Sequence, residues 1–142
     1  MSVRILVVDD NRDTLKIYVR ALGKKLKPKG EERHIKKKLM VESVEIEDVD
    51  TVSLALKKLR NKSFEILVVD LKIPGTSGEE MGGLELISES LKLDPLRPII
   101  AITGYGEQPE ALAKEARADT VIEKPFKLNK LIKTIQKLLD EK

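Results

Sequence analysis

The sequence contains no cysteine and no tryptophan, and its only histidine is His34. Without thiols there is neither a disulfide framework nor a thiolate metal centre. A lone imidazole rules out a His-rich metal site. No run of ~18 apolar residues occurs, so no membrane-spanning helix is expected. The N-terminus, MSVRILVVDD, lacks the basic start, apolar stretch and cleavage site of a signal peptide, and a cytoplasmic location is the expectation. What the chain does have is length and balance. Its 142 residues, 41% hydrophobic and 36% charged, suit one soluble globular domain spanning 1–142 with a proper core.

One stretch organises the rest. Phe64 to Val69 (FEILVV) is short, apolar and β-branched, as a buried strand of a parallel sheet should be. Asp70 follows it, and Pro74-Gly75 turns the chain away. Val3–Val8 (VRILVV) is a second such strand and ends in Asp9-Asp10. Asn11 or Asp13 can cap the helix after it, whose apolar face is Leu15, Tyr18, Val19 and Leu22. Val41–Glu47 reads as a strand near the sheet edge, and a helix then ends near Asn61. After Asp70 come a loop to about Met81 and a helix over Gly83–Leu93. Pro98–Thr103 is the fourth strand, Pro109–Arg117 a helix, Thr120–Glu123 the fifth strand, and Asn129–Leu139 the last helix. Five strands alternating with five helices predict an α/β doubly wound parallel sheet covered on both faces.

The segment from Lys24 to Lys38 stands apart. Eight basic residues face two glutamates there, giving +6, while the rest of the chain carries −3. As a solvated extension it needs no partner. As a docking arm it suits an acidic protein surface. No aromatic residue is interleaved, so base stacking is not indicated and direct nucleic-acid binding is not expected.

In open α/β sheets the binding crevice lies outside the carboxyl ends of the strands. Four strand ends here deliver polar groups to that edge: Asp9 and Asp10, Asp70, Thr103, and Lys124. Each alone is an ordinary loop or cap residue; together they form a constellation. Three carboxylates in one crevice repel one another, and a divalent cation relieves this. Oxygen-only ligation favours Mg²⁺ or Mn²⁺. A carboxylate can act as nucleophile toward phosphorus. Phosphoryl oxygens are then neutralised by metal, ammonium and hydroxyl donors, here the cation, Lys124 and Thr103.

The stretches ILVVDD, ILVVDLKIPG, IIAITG and EKPF resemble the receiver domain of two-component response regulators, in order and over almost the whole chain. The resemblance implies a flavodoxin-like fold of strand order 2-1-3-4-5, with residues about 24–40 as a basic insertion between the first helix and the second strand. It implies that Asp70 is the phosphoacceptor for a sensor histidine kinase or phosphotransfer protein, and that a downstream protein reads the result. Asp10 would ligate Mg²⁺ with Asp9 assisting, and the backbone carbonyl of Lys72 would be a further ligand. Thr103 and Lys124 would bind the phosphoryl group, and the Lys124-Pro125 bond would be cis. The chain would be a phosphoacceptor rather than an enzyme.

The sequence departs from the family at several points. Val121 stands where the family's switch aromatic usually lies, three residues before the lysine, and Tyr105 is a possible substitute. The loop TSGEEMG (76–82) is longer than the common form, and Lys72 places a cation beside the site. The alternative reading is a degenerate receiver that binds proteins without phosphorylation. An aspartyl phosphohydrolase of the haloacid-dehalogenase type is disfavoured, because the second aspartate it needs two residues on is replaced by Lys72.

Overall fold

The computed structural model describes residues 2–26, 43–104, 111 and 117–141. Five parallel strands form one sheet in the order β2-β1-β3-β4-β5: β1 (Ser2–Val8), β2 (Ser43–Val49), β3 (Ile66–Asp70), β4 (Ile99–Thr103) and β5 (Thr120–Glu123). Four helices lie among the described residues: α1 (Arg12–Leu26), α2 (Val52–Asn61), α3 (Gly82–Leu93) and α4 (Leu128–Asp140). The expected helix at 109–117 lies outside the described residues, apart from Ala111 and Arg117. So does the basic segment beyond Leu26, and so does Tyr105.

Strand parity sorts the core into two layers, because successive side chains point to opposite faces. Val3, Ile5 and Val7 of β1 join Ile66 and Val68 against Leu15, Tyr18 and Leu22 of α1 and Leu131, Ile132 and Ile135 of α4. Leu6 and Val8 join Leu67 and Val69 against Val52, Ala55, Leu56 and Leu59 of α2 and Leu86 and Ile87 of α3. All five residues of β3 and of β4 are buried, as an apolar strand covered on both faces requires.

Boundaries shift where pairing decides them. β2 begins and ends two residues later than the sequence suggests, because its register runs from Ser2↔Ser43 to Val8↔Val49 and so matches β1 along its whole length. β3 starts at Ile66 rather than Phe64, since the β1 ladder begins at Ile5↔Ile66. It also takes in Asp70, which pairs with Ile102. The Asp70 carboxylate therefore stands on the last residue of the strand, not on the loop after it. At the far end of the sheet the buried guanidinium of Arg97 joins three elements. It donates to the Phe64 carbonyl at 3.0 Å and to the Ser90 hydroxyl at 2.7 Å.

The chain leaving Asp70 is pressed against the start of α3. Leu71 and Ile73 are fully buried, and their carbonyls accept from Gly83 N–H (3.0 Å) and Gly82 N–H (2.7 Å). A Cβ on Gly83 would sit 2.5 Å from Leu71 Cα and 2.6 Å from the Asp70 carbonyl oxygen. The backbone cannot yield there without moving Asp70. Gly83→Ala should therefore destabilise the fold by about 1–3 kcal/mol in denaturant titration, the usual range for overpacking. Unchanged stability would show that α3 can back away from the strand end.

Candidate functional site

Backbone ties fix the strand ends that carry the site. The β1–β3 ladder closes at Val8↔Val69, which brings Asp9 beside Asp70. Asp9 N–H donates to the Val49 carbonyl at 3.2 Å, and Leu71 N–H to the Ile102 carbonyl at 2.9 Å. Lys124 N–H donates to the Thr103 carbonyl at 2.8 Å, which holds the lysine next to that hydroxyl residue. Asn11 caps α1, its Oδ1 accepting from Thr14 N–H at 3.1 Å, and its own N–H donates to Asp9 Oδ1 at 2.9 Å. Of the two caps the sequence offered, Asn11 is the one used.

Of the five residues expected at this edge, Asp9, Asp10, Asp70 and Lys124 bring their charged groups together, and Thr103 ends the neighbouring strand β4. One carboxylate oxygen from each of Asp9, Asp10 and Asp70 lies within 4.8 Å of the others. Lys124 Nζ donates to Asp70 Oδ2 at 2.6 Å and lies 3.9 Å from Asp9 Oδ2. Asp70 Oδ1 accepts from Lys72 N–H at 3.0 Å, so both of its oxygens are engaged. Asp9, Asp70 and Thr103 are buried and Asp10 is exposed. The Lys72 side chain is exposed in the turn after β3. The Lys124-Pro125 bond is cis.

Two buried atoms stand out. Asp9 Oδ2 and Thr103 Oγ1 are fully enclosed without a hydrogen-bond partner. An unmet buried polar group costs about 1–3 kcal/mol, so such atoms mark a place kept for something else. An oxygen-only set with an unpartnered buried carboxylate oxygen fits a metal ion.

The charge balance is lopsided. Burial pushes the Asp9 carboxyl above its ordinary range, and the neighbouring charges of Asp70 and Asp10 push the same way against the Asn11 hydrogen bond and Lys124. For Lys124, burial alone would lower the pKa. The Asp70 hydrogen bond and the charges of Asp70, Asp9 and Asp10 outweigh it, and the ammonium is held above its usual range.

Behind Lys124, the ring of Phe126 stacks on Tyr18 with centroids 6.0 Å apart. Burial, with Asp9 and Asp70 nearby, pushes the Tyr18 hydroxyl up to about 12. Spacing along α1 predicts Tyr18 on the apolar face, with no link to the site. That link depends on the turn after Lys124 folding back on α1, and no local pattern encodes it. Val121 is half-buried against the α2/α3 core layer, so an aliphatic side chain occupies the position of the expected aromatic.

The sequence model of the response regulator receiver domain family matches residues 32–136. Asp9 and Asp10 lie before that match, but full-length relatives run through them. The response regulator receiver protein CpdR of Brucella abortus is 28% identical over 137 residues, covering 96% of each chain. The chemotaxis protein CheY of Thermotoga maritima is 29% identical over 59% of this chain and 67% of its own. Other relatives are longer: the chain spans 53% of the regulatory protein VanRB of Enterococcus faecalis. Among solved structures, a CheY-like receiver domain protein from Methanospirillum hungatei superposes with a TM-score of 0.75 at 28% identity, covering 99% of this chain and 96% of that one. Response regulator TrrA of Thermotoga maritima, solved with Mg²⁺ and BeF, gives 0.72 at 26% identity, covering 96% and 98%. The fold, the acidic pocket at its strand ends and these matches agree: the chain belongs to the response regulator receiver domain family of two-component systems.

Proposed function

We propose that this receiver accepts a phosphoryl group on Asp70 from the phosphohistidine of a sensor kinase or phosphotransfer protein, with Mg²⁺ bound by Asp9, Asp10, Asp70 and the Lys72 carbonyl. The observation that carries the reading is Lys124 Nζ at 2.6 Å from Asp70, with a buried, unpartnered Thr103 hydroxyl at the end of the neighbouring strand. An Asp70 carboxylate oxygen bonds to phosphorus, the P–N bond of the donor breaks, and the imidazole leaves with the electron pair. The metal, when bound, supplies positive charge to the phosphoryl oxygens. Lys124 holds the carboxylate before transfer and turns to a phosphoryl oxygen after it. Thr103 then gains the acceptor it lacks. Pairing of the two unmet groups and the move of negative charge from the carboxylate out to the phosphoryl oxygens favour a different local arrangement, and the population shifts toward it.

The protein acts as a switch and not as an enzyme turning over small substrates, and its output is contact with a downstream protein. The second positive charge that Lys72 adds near Asp70 and the aliphatic Val121 make its switching chemistry its own. For a phosphoacceptor role, intact mass after acetyl phosphate and Mg²⁺ should rise by roughly 80 Da, one phosphoryl group. Asp70→Asn should show no rise, and EDTA should prevent it. Equal labelling of Asp70→Asn would remove Asp70 from the mechanism. No labelling of the unmodified chain would favour the degenerate receiver.

Asp9 gives a second test. Its folded-state pKa is raised, so between the unfolded and folded values the native state binds the proton more tightly. Stability therefore falls as pH rises through that window, and the loss is complete above it. Without Mg²⁺, Asp9→Asn should raise Tm at pH 7, each 1 kcal/mol gained being worth roughly 3–6 °C for a chain of this size. The gain should shrink below the ordinary carboxylate pKa, and Mg²⁺ affinity should drop. A lower Tm at pH 7 would mean that Asp9 is a net stabilising residue.

A further inference from the structure

The loop after Asp70 is internally closed. Gly75 N–H donates to the Glu79 carbonyl at 2.9 Å, and Gly78 N–H returns to the Gly75 carbonyl at 3.1 Å. Gly78 sits at φ 84°, the left-handed region that glycine takes at no steric cost. This small turn is then gripped from outside. Glu85, in the first turn of α3, accepts twice from one residue: from Thr76 N–H at 3.0 Å on Oε1 and from the Thr76 hydroxyl at 2.6 Å on Oε2.

The grip continues inward. Glu85 stands two residues after Gly83, which holds the Leu71 carbonyl, and Gly82, which holds the Ile73 carbonyl. Lys72 lies between those two held residues, and its N–H is on Asp70 Oδ1 at 3.0 Å. Three points of α3 thus clamp the chain at 71, 73 and 76. Two of them use backbone and buried side chains. The third is a side-chain clasp on the exposed rim.

We infer that Glu85, through Thr76, is a positioning residue that pre-sets the 71–76 segment so that Lys72 presents its carbonyl to the cation. This rests on the proposed reading of the site as a Mg²⁺-dependent phosphoacceptor. The physical reason is preorganisation: a ligand already held in place loses less freedom when the metal binds. The bond from the Thr76 hydroxyl also holds the Glu85 carboxyl below the usual carboxylate range, as a clasp made with the ionised form requires.

The test is Mg²⁺ titration of the whole chain by calorimetry, alongside amide hydrogen exchange at residues 72–76 without metal. Glu85→Ala should weaken Mg²⁺ binding roughly 3- to 10-fold, at or below the lower end of losses for groups that orient a metal ligand. It should also speed exchange at those amides. Thr76→Val, which keeps the N–H bond but loses the hydroxyl, should show a smaller loss. Thr76→Ser should restore wild-type affinity. The double variant Thr76→Val/Glu85→Ala should be no worse than Glu85→Ala alone, because the two share one clasp. A merely structural role would lower Tm and leave the Mg²⁺ constant untouched. Wild-type affinity in Glu85→Ala overturns the inference and leaves the site reading intact. No Mg²⁺ binding by the unmodified chain overturns the site reading and the inference with it.

Discussion

Three carboxylates crowded against one ammonium set the terms for this molecule. Asp9, Asp10 and Asp70 bring oxygens within 4.8 Å of one another, and Lys124 is the cation that meets them. One positive charge does not balance three negative ones. Burial makes the imbalance worse, because Asp9 and Asp70 have little water to screen them. Left to itself such a cluster would spread apart. Much of the rest of the structure can be understood as what prevents that spreading.

The restraint is mainly backbone. Asp70 and Thr103 are the last residues of their strands, Asp9 and Asp10 follow β1 directly, and each strand end is tied to its neighbour by main-chain hydrogen bonds. Behind the ties lie two apolar layers, one under α1 and α4 and one under α2 and α3. The burial of about thirty apolar side chains outweighs the local repulsion, at roughly 1.5–3 kcal/mol for each large one. The sheet thus carries a strained site on a stable frame, a common trade between stability and function. The same frame explains why the loop after Asp70 is fastened so closely. Any freedom at residue 71 or 73 would pass directly to Asp70.

The fold was largely legible in the sequence, because strands buried on both faces announce themselves as short apolar runs. VRILVV, FEILVV, PIIAIT and TVIE each became a strand, with ends moved only where ladder pairing outvoted composition. The site was legible for a related reason. A polar residue directly after such a run must lie at the sheet's carboxyl edge, so Asp9, Asp10, Asp70, Thr103 and Lys124 could be placed together before any coordinates. What stayed hidden depends on contacts between distant segments. The Thr76–Glu85 clasp spans nine residues across a glycine-rich turn, and the Tyr18–Phe126 stack joins the first helix to the last loop. Nothing in the sequence around Arg97 marks it as a core residue. Its burial follows only from where the Phe64 carbonyl and Ser90 come to rest. No periodicity or motif encodes these pairings.

If the acidic cluster and the orphaned Thr103 hydroxyl are kept for a cation and a phosphoryl group, filling both places should stabilise the fold. The direct measurement is thermal unfolding of the unmodified chain with no addition, with Mg²⁺ alone, and with Mg²⁺ plus beryllofluoride as the phosphoryl mimic. A ligand at one hundred times its dissociation constant adds about 2.7 kcal/mol. The account predicts a modest rise in Tm with Mg²⁺ and a larger one with the pair. An identical Tm in all three conditions would contradict it.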